Sequence, residues 1–141
     1  MIRDQYPQAR LELIYDANTH GWKASNFHEC CKKKGWTLTI VETINGYLFG
    51  GFTTAELDYQ PGRKCIFKPD PAAFLFSVNQ NTKYPIKGQN LDAILCSDQN
   101  CIMFGAFGKI DMSISSESNT NSSSTCTANT NSSFELPLGN G

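Results

Sequence analysis

Apolar and polar positions along the chain alternate mostly with period two, over several short runs, and with a helical period over one. Leu11, Leu13 and Tyr15 alternate with Glu12, Ile14 and Asp16, which predicts a short strand or a brief helix. Asn18-Thr19-His20-Gly21 is polar and ends in glycine, so a turn is expected there. From Ser25 to Lys34 the spacing becomes helical. Ser25 stands at a capping position, Phe27, Cys30 and Cys31 fall on one face, and Lys32, Lys33 and Lys34 suit the negative end of the helix dipole. Gly35 is placed to supply a left-handed exit.

The strongest alternation follows. Over Trp36 to Ile44, Trp36, Leu38 and Ile40 share one face and Thr37, Thr39 and Val41 the other. Asn45-Gly46 then separates this run from Tyr47–Thr53, the pattern of a β-hairpin with a type I′ turn. Gly50 and Gly51 inside the returning strand predict a bulge or a close backbone approach. Residues 54–71 read as a loop, with turn chemistry at Pro61-Gly62 and Asp70-Pro71. Further strands are expected over Ala73–Val78, Lys83–Lys87, Ala93–Cys96 and Cys101–Phe104, and around Ile110, Met112 and Ile114; Pro85 confines the second of these to a sheet edge. Short strands at these intervals, with one to three short helices, predict a mainly β (α+β) fold, an antiparallel β-sandwich.

Composition sharpens this picture in one place. Of the 21 residues 113–133, 17 are Ser, Thr or Asn, too few apolar groups to offset the entropy of ordering, so a mobile loop is expected there. It holds sequons at Asn121 and Asn131, which polar composition produces by chance. Across the whole chain 40% of residues are hydrophobic and 18% charged, ordinary for one globular domain of 141 residues. A net charge of −1 gives no field that would draw the chain to nucleic acid or anionic lipid. No apolar run reaches the roughly 20 residues of a membrane span, and Met1–Gln5 lacks the apolar core of a signal peptide. These features predict a cytoplasmic protein.

Six cysteines, Cys30, Cys31, Cys65, Cys96, Cys101 and Cys126, are read as reduced thiols, since no secretory signal accompanies them. His28-Glu29 begins a zinc-protease pattern, but Lys32 stands where the second histidine is required. Cys96 and Cys101 are spaced outside the C-x-x-C ligand pattern, so no metal or other cofactor is expected. Neither a phosphate-cradling glycine loop nor a nucleophile elbow occurs. The aromatic residues Trp22, Phe27, Trp36, Phe74 and Phe76 are assigned to the core. One redox candidate stands: Cys30 and Cys31 beside three lysines that would favour a thiolate, at a helix C-terminus whose dipole opposes it.

Leu13–Trp22 followed by Phe27-His28-Glu29-Cys30-Cys31 resembles the opening of TLDc domains. Gly35-Trp36-Thr37-Leu38-Thr39-Ile40 through Asn45-Gly46-Tyr47-Leu48-Phe49-Gly50-Gly51-Phe52-Thr53 matches the most specific block of that family. Asp70–Ser77 is similar to the next strand, and Phe104–Gly108 with Ile110–Ile114 to the glycine-rich step after it. Departures are Thr19-His20 in place of arginine-aspartate, Trp36 in place of proline, and no tryptophan over Ala55–Tyr59; Ala106 and Phe107 dilute the glycine step. Residues 1–10 form a lead-in, and 11–141 the TLDc-like domain. The resemblance implies one further closing strand beyond Gly141, with Phe134–Leu138 as a strand entry.

The resemblance also implies a β-sandwich with no catalytic residue set, in which Gly21, Phe27, Gly50, Gly51 and Asp111 are structural signature positions. The implied function is a non-catalytic protein-interaction module for protection against oxidative stress, or for binding and regulating the vacuolar proton-pumping ATPase. Alternatives are a thiol-based antioxidant acting through Cys30 and Cys31, and an adaptor domain of a BTB-type protein.

Overall fold

The computed structural model describes residues 2–62, 66–87, 92–106, 109–121, 123–126 and 133–135. Among them, three short helices, α1 (Ile2–Gln5), α2 (Ala17–His20) and α3 (Ala24–Cys31), precede nine strands. One sheet holds β1 (Thr37–Glu42), β2 (Leu48–Thr53), β4 (Phe74–Ser77) and β5 (Thr82–Pro85), in the order β1-β2-β4-β5. The second runs in chain order through β3 (Ile66–Pro69), β6 (Asp92–Ser97), β7 (Asn100–Ala106), β8 (Lys109–Ser115) and β9 (Thr125–Cys126). Every pairing is antiparallel, and the two sheets form the expected sandwich.

Register explains the core. Ile94, Phe104 and Met112 stand opposite one another across β6, β7 and β8, and all are buried with Leu75 of the facing sheet, Phe27 and Cys31 of α3, and Leu57. Each large apolar side chain so buried contributes about 1.5–3 kcal/mol. A second cluster, Phe52, Phe74 and Phe76, lies on the far face of the first sheet under Tyr6 and Leu38. The Tyr6 ring is 5.6 Å from Phe52 and 5.0 Å from Trp36. Lys83 lies 4.1 Å over the Phe74 ring and donates to Gln5. The lead-in of residues 1–10 thus contributes a cover for this sheet face. Trp36, assigned to the core from its residue type, is more than half exposed at the edge of that cover.

The β1–β2 hairpin forms, but not with a type I′ turn. Gly46 alone is left-handed, at φ +80°, and Asn45 is not. Gly46 N–H donates to Thr43 O at 2.9 Å and Thr43 N–H to Tyr47 O at 2.9 Å. This is a three-residue loop with glycine at its left-handed position. Valine at position 46 meets no neighbour but is strained by the positive φ, so Gly46→Val is expected to cost about 1–2 kcal/mol or more. An unshifted urea midpoint would show the loop tolerates a β-branched residue.

Other expectations are corrected. Leu11 to Asp16 forms neither strand nor helix, because no neighbouring strand hydrogen-bonds it; Leu11 and Leu13 are exposed. The turn expected at Asn18–Gly21 is mostly the one-turn helix α2, capped by Asp16, whose side chain accepts from Asn18 N–H. Helix α3 begins one residue early and ends three early. Asn26 accepts from Lys23 N–H at its start, so Ser25 is not the cap. Lys33 turns left-handed at φ 56°, two residues ahead of Gly35. The loop of residues 54–71 contains β3. Gly50 and Gly51 sit in unbroken register, so the close approach, not the bulge, is what they serve.

The polar segment is partly built into the fold. Ser113 and Ser115 belong to β8, and Thr125–Cys126 forms β9. Ser133 then acts as a clasp. Its N–H donates to the Asp111 carboxylate at 2.8 Å and its hydroxyl accepts from Ala106 N–H at 3.2 Å, on the second sheet. Its carbonyl accepts from Lys87 N–H at 2.9 Å, and Glu135 N–H donates to Pro85 O at 2.7 Å, beside the first sheet. Phe134 between them bridges to Ile86 and is buried against Phe104, rings 6.3 Å apart. Asn131, Cys65, Phe107, Gly108, Leu136–Leu138 and the turn chemistry at 139–141 lie outside the described residues. Among the described residues, no helix is long and apolar enough to cross a membrane.

Candidate interaction surface

Strand β1 sits at the margin of its sheet. It pairs with β2 on one side, and among the described residues no strand pairs with its other side. Between this margin and residues 10–18 the sandwich opens into a groove of 1010 Å³. Core residues Leu57 and Ile102 line its depth, and Leu11, Leu13, Ile40 and Ile44 its rim. The rim side chains stand in solvent: Leu11 is 76% exposed, Leu13 79% and Ile40 58%. Thr37 lines the groove too, and its buried Oγ1 has no hydrogen-bond partner among the described residues. An apolar rim around an open sheet margin is the usual physical form of a protein contact.

The buried polar groups serve the fold. His28, on the apolar face of α3, places Nε2 2.9 Å from Ser97 O and 3.1 Å from Asn100 O, so Nε2 carries the proton and donates to the β6–β7 turn. Its ring stacks on Tyr59 at 4.0 Å. Burial lowers the imidazole pKa below its ordinary 6.5, against the two carbonyl contacts and nearby Asp98, which raise it. His28 is therefore neutral in the folded chain, while the unfolded chain takes up a proton from about 6.5 downward. Stability from this residue is present above that value and lost as pH falls toward the lower, folded one. Urea melts at about pH 7.5 and pH 5.5 should show this loss in the wild type and a smaller one in His28→Gln. Equal slopes would remove His28 from the account.

Asp70 is the second buried anchor, and nothing in the alternation pattern marks it. It lies beyond β3 with 2% exposure. Thr53 Oγ1 and Thr54 N–H donate to one carboxylate oxygen, each at 2.6 Å. Thr54 Oγ1 at 2.7 Å and Ala72 N–H at 3.1 Å donate to the other. Burial alone would push this carboxyl up; the bonds from Thr53, Thr54 and Ala72 outweigh it and hold the pKa below the ordinary value. The end of β2 is thereby fixed to the turn that enters β4.

These elements coincide with a known family: the family model described as TLDc domain matches residues 1–138. The chain belongs to the TLDc domain family. Two similar proteins are MTOR-associated protein MEAK7 of Danio rerio, 32% identical over 70 residues, and MTOR-associated protein MEAK7 of Mus musculus, 30% identical over 69. The matches cover 50% and 49% of this chain, and 15% and 14% of those proteins, so only a small part of each relative is represented.

The positions that the resemblance implied as signatures are placed as follows. Gly21 leaves α2 at φ 106°, beside Asn26, with Tyr15 OH donating to its carbonyl at 2.7 Å. Phe27 is core. Gly50 lies against Thr39 and Gly51 against the Phe104 ring. Asp111 is buried and receives the Ser133 clasp.

The thiols of this TLDc chain are placed less favourably for chemistry than the lysine run suggests. Cys30 is half-buried, and Cys31 and Cys101 are buried. Burial first, then the neighbouring Cys30, Cys101 and Cys96, push the Cys31 thiol up to about 12, which Lys34 only weakly opposes. Burial pushes Cys101 up to about 11. Burial and Asp111 also push the Cys126 thiol up, but it is exposed, so in the native state at neutral pH an aromatic disulfide reagent should reach Cys126 and leave Cys31 and Cys101 until unfolding. Peptide mapping would check it; fast native labelling of Cys31 would contradict the burial argument. Among the described residues, no group of three or more His, Cys, Asp or Glu is arranged to hold a metal ion.

Proposed function

We propose that this chain is a non-catalytic protein-interaction module, acting by association rather than by turnover. The observation that carries the reading is the exposed apolar rim of Leu11, Leu13, Ile40 and Ile44 around the groove. Solvent-facing apolar side chains grouped around a concavity are stabilised by a partner. The titratable groups that acid–base chemistry would draw on, His28 and Asp70, are engaged in bonds that hold the backbone, which also supports association. The relatives' name, MTOR-associated protein, supports the same mode. Its finer forms are association with MTOR, protection against oxidative stress, and regulation of the vacuolar proton ATPase in the cytoplasm.

Cross-linked capture from cytosol, quantified by mass spectrometry, tests the reading. Wild-type chain should hold a defined partner set that Leu11→Ser/Leu13→Ser depletes by about tenfold or more, since these exposed positions do not support the core. Equal recovery with both chains would overturn the rim as the contact. The alternative, thiol-based peroxide reduction through Cys30 and Cys31, requires steady peroxide consumption with a reductant that Cys30→Ser/Cys31→Ser abolishes. The module reading expects none.

A further inference from the structure

The groove and the free margin of β1 together specify the form of a partner. The margin from Thr37 to Glu42 presents main-chain donors and acceptors that only an extended backbone can satisfy along their length. Beside it, the groove offers an apolar interior to every second side chain of such a backbone. The ends of the margin are oppositely charged: Lys34 precedes β1 and Glu42 closes it, both exposed and both lining the groove. On the opposite rim Arg10 and Glu12 carry opposite charges, so the end charges of β1 set the direction.

We propose that β1 accepts an extended segment of a partner polypeptide as an additional antiparallel strand. Alternate apolar side chains of that segment enter the groove. A cation near its N-terminal end meets Glu42, and a carboxylate near its C-terminal end meets Lys34. This inference rests on the interaction-module reading and names its surface and the chemistry of its partner. Antiparallel direction follows from the sheet, in which every pair runs that way, and from the order of the two charges along β1.

Synthetic peptides of about nine residues, enough to span a strand, test it against the full chain. The first alternates Val and Thr with Lys near the N-terminus and Glu near the C-terminus. The second exchanges Lys and Glu, and the third carries Pro at the centre of the first. The fluorescence of Trp22 and Trp36, both of which line the groove, and amide exchange over Thr37–Glu42 are the readouts. The first peptide should bind about tenfold more tightly than the second, because two attractive end contacts become repulsive, and should slow exchange in β1. The proline peptide should not bind. Lys34→Glu/Glu42→Lys should reverse the preference. Equal binding of both charge orders, binding without protection of β1, no saturable binding of any peptide, or a dimer of this chain protecting the same amides would each overturn the proposal. Cross-linked capture with wild-type and charge-exchanged chains separates this failure from that of the broader reading. A partner held equally by both sinks the β1 assignment alone, whereas no partner with either sinks the module reading.

Discussion

Asp70→Ala is expected to destabilise the fold by about 3–5 kcal/mol, the range for leaving buried groups without their charged partner. The carboxylate is the acceptor for Thr53 Oγ1, Thr54 N–H, Thr54 Oγ1 and Ala72 N–H, and Thr53 is itself fully buried. Alanine leaves these donors pointing into a space that water enters poorly. Small domains hold only about 5–15 kcal/mol in total, so the variant should melt far below the wild type. Asp70→Asn keeps an acceptor oxygen but turns a donor toward donors, and should recover only part of the loss. The pH dependence has a defined sign. The folded pKa is depressed, so this stabilisation is present above the ordinary carboxyl value of 3.8 and is lost as pH falls through the folded value. Urea midpoints of wild type, Asp70→Asn and Asp70→Ala across that range would measure it. A wild-type and alanine pair with coincident midpoints would show that the turn is held by something else.

Gly50→Ala is the second large expected effect. A β-carbon there meets the backbone carbonyl of Thr39 on β1 and lies 2.8 Å from Phe76 Cζ. Backbone cannot rotate away as a side chain can, so β1 must move off β2. Gly51→Ala presses instead on the Phe104 ring, with Cε1 at 2.7 Å, and that ring is fully buried in the packed row of Ile94, Phe104 and Met112. Overpacking of this kind costs about 1–3 kcal/mol and more where backbone shifts, so Gly50→Ala should exceed Gly51→Ala. Thermal melts rank the two, and amide exchange locates the damage. Loss of protection confined to Thr37–Glu42 is expected for Gly50→Ala, and an unchanged β1 would mean that the sheet absorbs the methyl group.

The β1–β2 hairpin and the strand around Met112 were legible because alternation writes a half-buried strand into sequence, and those around Phe74, Ile94 and Ile102 because they are short apolar runs, buried over consecutive residues. What remained hidden depends on partners distant in the chain. Leu11 and Leu13 alternate as a strand would, yet pairing requires a neighbour that no local pattern supplies. The lysines after Cys31 suit a helix end, but Lys32 already leaves the helix at ψ 129°, and Lys33 follows at φ 56°. Strand β3 is only four residues long and lies in a segment rich in turn chemistry. Of the candidate site, His28 was visible as a histidine on an apolar helix face, while its role needs Ser97 and Asn100 some 70 positions away. Asp70 has no periodicity at all, and only the paired threonines ending β2 hinted at an acceptor.

The clasp at Ser133 has a mechanical consequence. It ties the β5 margin of the first sheet, through main-chain bonds, to β7 and β8 of the second, through the Ser133 hydroxyl and the Asp111 carboxylate, whereas β1 lies at the other margin of the first sheet. Among the described residues the sandwich is thus bound like a book along one spine and unbound along its fore-edge. Load that separates the covers concentrates at β1, while the spine opens only if the bonds around Phe134 break together.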